Sequence, residues 1–344
     1  MTGAAPGGGR SRGGRPYRRP QPDAPRGAAY DVLRAVDERD AYANLVLPGL
    51  LRERGIDARD AAFATELAYG TLRGRGQYDA VLAACVDRPL TDVDPAVLDL
   101  LRLGAHQLLA MRVPPHAAVA ATVELARAKV GDGRASFVNA VLRKVSSQNL
   151  ETWLGQVAPD EVTDPVGHLA VTQSHPAWVV QAMRDALGGS LGETRELLAA
   201  DNERPGVTLV ARPGRSTVEE LVAGGAEPGR YSPFAAAWPG GDPGDLPEVR
   251  SGAAAVQDEG SQLVALALAA APVDGTDRRW LDLCAGPGGK AALLAGLAAG
   301  RGARLLAVER QSHRARLVAQ ALGPDPAALV VVADGRQPPW APGG

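Results

Sequence analysis

Only two cysteines occur among 344 residues, and Cys85 and Cys284 are almost 200 positions apart. That spacing excludes a disulfide framework and a CxxC metal knuckle, and points to a reducing compartment, the cytoplasm. The five histidines, His106, His116, His168, His175 and His313, show no ligand spacing and no cysteine neighbour, so no metal is expected. Long apolar runs are missing as well. The longest, Leu263–Ala271, is far short of the ~20 residues that cross a bilayer, and the start MTGAAPGGGRSRGGRPYRRP has no apolar signal core, so no membrane association is expected. Nor is there an excess of one charge over the whole chain: 37 basic residues face 39 acidic ones. The imbalance is local, with six Arg and one Asp in residues 1–26.

Hydrophobic residues make up 45% and charged residues 22%, which fits a folded protein of about two domains. Residues 1–26, dominated by Gly, Arg and Pro, have little to bury and are expected to form a mobile arm. Arg10, Arg12, Arg15, Arg18 and Arg19, with Tyr17 between them, suit RNA phosphates and a stacked base; a solubilising tail is the plainer alternative. From 27 to 150 the apolar spacing is helical. Leu98, Leu101, Ala105, Leu108 and Leu109 share one face; Val119, Val123, Ala126 and Val130 share another; Phe137, Val138, Val141, Leu142 and Val145 make a third. Pro114-Pro115 and Gly131-Asp132-Gly133 separate these runs, predicting six or seven short helices. Arg127, Lys129, Arg134, Arg143 and Lys144 gather near the end of this region, as an RNA-facing patch or as a solvated helix face.

Residues 151–250 are less regular and read as a connector or small substrate-binding domain. Helices are expected at Ala177–Leu187, Glu193–Ala200 and from Thr217, a strand at Val207–Ala211, and loop over 224–247. Residues 251–344 alternate: helix Ser261–Ala271, a buried strand Trp280–Leu283, helix Gly289–Ala299, strand Leu305–Val308, helix Ser312–Leu322, strand Leu329–Ala333. Such alternation predicts a parallel sheet wrapped by helices, with ligands at the carboxyl ends of the strands.

At the end of the first of these strands stands Asp282-Leu283-Cys284-Ala285-Gly286-Pro287-Gly288-Gly289-Lys290. Glycines at a strand-to-helix turn let the backbone approach a ligand closely, and the helix offers free N–H groups. A P-loop is excluded, because Cys284 stands where its first glycine is needed and Ala291 where its hydroxyl is needed. A dinucleotide site is formally matched by Gly286, Gly288 and Ala291 with Glu309 beyond. Against it, Pro287 removes a backbone donor and no second mononucleotide half follows. The third reading is an S-adenosylmethionine site, with Glu309 after the second strand placed for the ribose and Asp334 after the third placed near the adenine. The plainer alternative is that both acids simply open polar loops.

LDLCAGPGGK resembles the cofactor motif of the Sun/Fmu (RsmB-like) family of bacterial small-subunit ribosomal RNA cytosine-5 methyltransferases. The resemblance continues, in order, through AYANLVLPGLL, AAFATELAYGTLRGRGQYDAVL, LDLLRLGAHQLLAMRVPPHAAV, FVNAVLRKV, SHPAWVV, DNERPGVTL and VQDEGSQLVALAL, covering residues 27–336. It implies an all-α NusB-like RNA-binding domain at 27–150, a small middle segment, and at 251–344 the first part of an α/β Rossmann-like methyltransferase domain. Carried over by residue, Cys284, Ala285, Gly286, Pro287, Gly288, Gly289 and Lys290 form the cofactor loop, Glu309 meets the ribose and Asp334 the adenine. Gly286 replaces an alanine usual in the family. The implied partner is small-subunit ribosomal RNA, the implied cofactor S-adenosylmethionine, and a monomer is expected.

Family chemistry requires a cysteine thiolate that adds to cytosine C6, after which C5 takes the methyl group and loss of its proton expels the enzyme. In the family that cysteine comes from a Thr-Cys motif after a later strand, and this sequence has no cysteine beyond Cys284. No catalytic residue is therefore assigned: Cys284, in the cofactor turn, is expected to face the cofactor or the core, Cys85 is read as a core thiol, and the 344-residue chain is expected to be inactive by itself. Rival readings are a non-catalytic NusB-like RNA-binding protein and a nicotinamide-dependent oxidoreductase.

Overall fold

The computed structural model describes residues 23–203, 206–337 and 339–340. It divides into two units, Met1–Glu203 and Arg204–Gly344, so the stretch 151–250 contributes helices to the first and strands to the second. The arm expected over 1–26 lies outside the described residues as far as 22. Its end does not: Asp23 caps helix α1 (Ala24–Arg39), its carboxylate accepting the Arg26 N–H at 3.2 Å, with Pro25 in the first turn.

Helices α2 (Ala43–Glu53), α3 (Ala58–Arg73), α4 (Arg75–Cys85), α5 (Pro95–Leu109), α6 (Pro115–Val130) and α7 (Asp132–Val145) follow. With α1 they make seven helices, where the apolar spacing predicts six or seven. Pro115 opens α6, and Gly131 at φ +89° separates α6 from α7. One expectation needs correction. α5 has no single apolar face, because every residue from Val97 to Gln107 is buried and the other helices surround it. Charged groups on that helix must then find partners inside. Asp99 accepts from Arg34 at 2.7 Å and from Arg102 at 3.0 Å, and Arg102 also grips both oxygens of Asp79 at 2.7 and 2.8 Å. This buried network ties α1, α4 and α5 together. Helices α8 (Leu150–Val157), α9 (Pro165–Thr172), α10 (Ala177–Ala186) and α11 (Leu191–Asn202) complete the unit, with a small core of Leu169, Val180 and Leu198.

The second unit opens with β1 (Val207–Ala211), α12 (Val218–Ala223), β2 (Glu227–Pro228), β3 (Ala235–Trp238), α13 (Pro247–Arg250) and β4 (Ala254–Val256). Here the loop expected over 224–247 is corrected. β2 and β3 lie within it and pair in an antiparallel sheet of order β2-β3-β1-β4, Leu209 standing opposite both Ala236 and Val256. Ala235, Ala236 and Ala237 have low intrinsic strand preference, so pairing and burial outweigh propensity.

Then come α14 (Glu259–Ala270), β5 (Arg279–Asp282), α15 (Gly289–Gly300), β6 (Arg304–Glu309), α16 (Ser312–Leu322) and β7 (Ala328–Val332). β5, β6 and β7 form a parallel sheet in that order, as the alternation predicts. α14, α15 and α16 share a core with Leu305 and Ala307. β5 is not the buried strand expected. The cross-strand row Leu281, Leu306, Leu329 faces away from that core, leaving Leu281 43% and Leu329 63% exposed. Among the described residues no helix is long and apolar enough to cross a membrane.

Replacing Asp99 by Ala strips two guanidinium groups of their shared counter-charge, which should cost about 3–5 kcal/mol. Asp99→Asn, which keeps an acceptor, should cost less. Urea unfolding followed by helical circular dichroism measures both, and an unchanged midpoint for Asp99→Ala would show that the network contributes nothing.

Candidate functional site

The turn after β5 is shaped by its own sequence. Asp282 Oδ1 accepts the Cys284 N–H at 3.1 Å, and the Ala285 N–H donates to the Val308 carbonyl at 3.0 Å, anchoring the turn to β6. Pro287 follows a cis peptide bond, and Gly288 precedes α15 at φ +115°. Gly288 is required on two counts. Its backbone is left-handed, and a Cβ there would lie 2.6 Å from Ala321 Cβ and 3.0 Å from Val318 Cα. Gly286 is a different case. A Cβ at that position would collide with the Glu309 carboxylate, so the glycine in place of the family's alanine leaves this acid room beside the turn.

Glu309 ends β6 and is buried. Its Oε1 accepts the Gln311 N–H at 2.9 Å, and its Oε2 lies 3.7 Å from Arg314 Nε. Arg314 also donates through Nη2 to the Gly286 carbonyl at 2.8 Å, binding α16 to the turn. Asp334 stands two residues past the end of β7: the Ala333 N–H donates to the Glu309 carbonyl at 3.3 Å, and Gly335 lies against Leu283. The structure thus brings the 284–290 turn, Glu309 and Asp334 to one edge of the parallel sheet, at the carboxyl ends of its strands. Asp334 is already engaged. Arg336 donates to it from Nε at 3.0 Å and from Nη2 at 2.6 Å, and its backbone N–H adds a third bond at 3.0 Å. Those hydrogen bonds hold the Asp334 carboxyl well below the usual carboxylate range. Asp282 is shifted the other way, upward, because burial outweighs the Cys284 N–H and the nearby Lys290 charge.

Cys284 is exposed, so of its two expected orientations the one into the core is corrected; the turn carries it outward past the end of β5. Cys85 is buried in the helical core, as expected, and burial raises its thiol pKa. The cations gathered near the end of α6 and along α7 are engaged within their own unit. Lys129 contacts Asp31 at 2.7 Å, Arg134 contacts Asp94 at 3.2 Å and Arg127 contacts Asp132 at 3.7 Å, while Lys144 reaches the Cys85 carbonyl. Among the described residues no group of three or more His, Cys, Asp or Glu could hold a metal ion. Sequence reasoning missed Arg314, which nothing in SHRARLVAQAL distinguishes from Arg310 and Arg316. It also missed Gln257, whose buried amide stands beside Gly289.

Comparison with known proteins agrees with this architecture. Residues 23–147 match the NusB family, and residues 267–344 match the family described as 16S rRNA methyltransferase RsmB/F. A Mycobacterium tuberculosis protein named as a methyltransferase, Rv1407, is 57% identical over 335 residues, which cover 97% of this chain and 72% of that protein. Ribosomal RNA small subunit methyltransferase B of Pseudomonas putida is 32% identical over 300 residues, covering 84% of this chain and 64% of that protein. The chain therefore spans about two thirds of the length of these relatives. The crystal structure of PH0851 shares the fold, with a TM-score of 0.71 at 18% identity over 93% of this chain and 71% of that one.

Gly288→Ala should lower the stability of the second unit by about 1–3 kcal/mol through its left-handed backbone, with the Ala321 clash added. Gly286→Ala meets only the end of a side chain and should cost less. Urea midpoints of the two variants give the comparison, and equal midpoints would refute this account of the turn.

Proposed function

Because the chain belongs to the RsmB/F family of 16S rRNA methyltransferases and carries a NusB-like helical unit, we propose that it serves S-adenosylmethionine-dependent methylation of cytosine C5 in small-subunit ribosomal RNA. The observation that carries this reading is the meeting of the glycine turn, Glu309 and Asp334 at the carboxyl edge of the parallel sheet. The donor set suits the cofactor. Glu309 offers a buried carboxylate beside the turn for a ribose diol, and Gly286 leaves that carboxylate the room it occupies. Asp334 would take the adenine edge with whatever acceptor capacity Arg336 leaves it. The cofactor, when bound, supplies an electrophilic methyl group. RNA is the proposed partner of the helical unit and of the Arg-rich segment 1–22, which lies outside the described residues.

Neither cysteine is placed as the nucleophile in this reading. Cys85 is enclosed in the helical core, and Cys284 belongs to the turn that would cradle the cofactor. These positions favour, as a second reading, a non-catalytic NusB-like RNA-binding protein in which the parallel sheet is idle, and retained cofactor affinity separates it from the first.

In calorimetry with S-adenosylhomocysteine, Glu309→Ala should lose the ribose hydrogen bonds, worth ~1.5–3 kcal/mol to a charged acceptor. Equal affinity in wild type and variant would remove Glu309 from the site. Tight NADH binding would replace the cofactor altogether.

Radiolabelled methyl transfer to small-subunit ribosomal RNA by the purified 344-residue chain should remain at background. Transfer abolished by Cys284→Ala would make Cys284 the nucleophile and overturn the second reading.

A further inference from the structure

The VQDEGSQ segment between β4 and α14 is almost wholly absorbed by the fold. Asp258 caps α14, accepting the Ser261 N–H at 3.3 Å, and Glu259 accepts the backbone N–H groups of Tyr231 and Ser232. Gln262 is fully buried. Its Nε2 donates to the carbonyls of Leu209 and Gln257 at 3.2 and 3.0 Å, while its Oε1 accepts the Ser232 hydroxyl at 2.7 Å. The backbone of Gln257 is equally well held, its N–H donating to the Thr208 carbonyl at 2.9 Å.

The Gln257 side chain is the exception. It is only 7% exposed, and neither its amide nitrogen nor its amide oxygen has a hydrogen-bond partner. Burying both atoms of an amide without partners opposes folding, so a glutamine is an expensive choice here unless something else completes it. Its position names the candidate. The amide stands at the head of α15, where a Cβ built on Gly289 would lie 3.8 Å from the amide carbon and 3.9 Å from Nε2. α15 runs for 12 residues and begins without a side-chain cap, so its first N–H groups lack intrahelical acceptors. Gly289 and Lys290 are exposed at that head.

We infer that Gln257 recognises the amino-acid end of S-adenosylmethionine, its amide N–H donating to the α-carboxylate and its amide oxygen accepting from the α-ammonium group. The inference rests on the cofactor reading above. A ligand that only accepts, such as the pyrophosphate of a dinucleotide, would satisfy the nitrogen and leave the oxygen orphaned. A zwitterion presents an acceptor and a donor side by side and answers both. The head of α15 favours the carboxylate through its free N–H groups and its dipole. Gln257 is thus a binding residue that also sets which end of the cofactor lies across the turn.

The test compares S-adenosylhomocysteine with 5′-methylthioadenosine, which keeps the adenosine and the thioether but has no amino-acid end. Calorimetry is run on the whole chain, on Gln257→Met, which keeps length without polar atoms, and on Gln257→Glu. Gln257→Met should bind S-adenosylhomocysteine about tenfold more weakly, the scale of a lost hydrogen bond to a charged group, and 5′-methylthioadenosine as tightly as wild type. Its thermal midpoint should equal or exceed that of wild type, because an unsatisfied buried amide is gone. Gln257→Glu should bind S-adenosylhomocysteine more weakly still, since two carboxylates would then meet. Equal S-adenosylhomocysteine affinity in wild type and Gln257→Met overturns this inference and leaves the cofactor reading standing. A parallel loss for both ligands with a lowered thermal midpoint assigns Gln257 a structural role and overturns it too. Wild-type protein that binds neither ligand overturns the cofactor reading and the inference together.

Discussion

The turn between β5 and α15 must pass within contact distance of Glu309 on one side and of α16 on the other, and the rest of the second unit is arranged to permit this. Gly286 and Gly288 supply the clearance, and Arg314 holds the turn to α16 through the Gly286 carbonyl. α16 is in turn fixed at its far end. Arg212 donates to the Ala321 carbonyl and Arg215 to the Leu322 carbonyl, each at 2.6 Å, so the last turn of the helix meets two cations, as its dipole favours. Both arginines follow β1. Between them Pro213 lies so close to α15 that a Cβ on Gly296 would come within 2.7 Å of its carbonyl oxygen. The antiparallel sheet therefore sets the position of both helices against which the turn rests, and the end of β4 brings Gln257 to the head of α15.

This dependence explains which parts of the molecule were legible beforehand. The sequence bounds α16 at Ser312 and Leu322, and Pro115 and Gly131 mark the breaks around α6, because local chemistry alone decides them. β3 was not legible. A run of three alanines ending in Trp238 has no strand signature, and it becomes a strand only because β1 offers it a partner. The central burial of α5 was hidden for a related reason. Asp99, Arg102, His106 and Gln107 read as the polar side of an amphipathic helix until partners on α1, α4 and α6 take them inside.

The candidate site divides along the same line. Glycines, a proline and an acid at a strand end carry their meaning in sequence, because turn geometry and strand ends constrain residue type directly. Arg314 and Gln257 do not. An arginine on an exposed-looking helix and a glutamine after a short strand become informative only when the Gly286 carbonyl is found bonded to one and nothing is found bonded to the amide of the other. Polar residues in VQDEGSQ look alike in sequence; the accounting of their hydrogen bonds separates three that build the fold from one that the fold leaves unsatisfied.

The carboxylates at this edge are also electrically distinct. Burial raises the Asp282 pKa, so the stability tied to it is present below its unfolded pKa and is lost as pH rises through the folded one. Hydrogen bonds from Arg336 lower the Asp334 pKa, so its contribution is present above the unfolded value and is lost as pH falls through the folded one. As pH falls, Asp282 therefore takes a proton before Asp334 does. The acid that shapes the turn tolerates a proton, and the acid proposed for the adenine keeps its charge. That ordering lets the two serve different purposes, Asp282 holding the Cys284 N–H in either protonation state and Asp334 remaining an acceptor for a ligand.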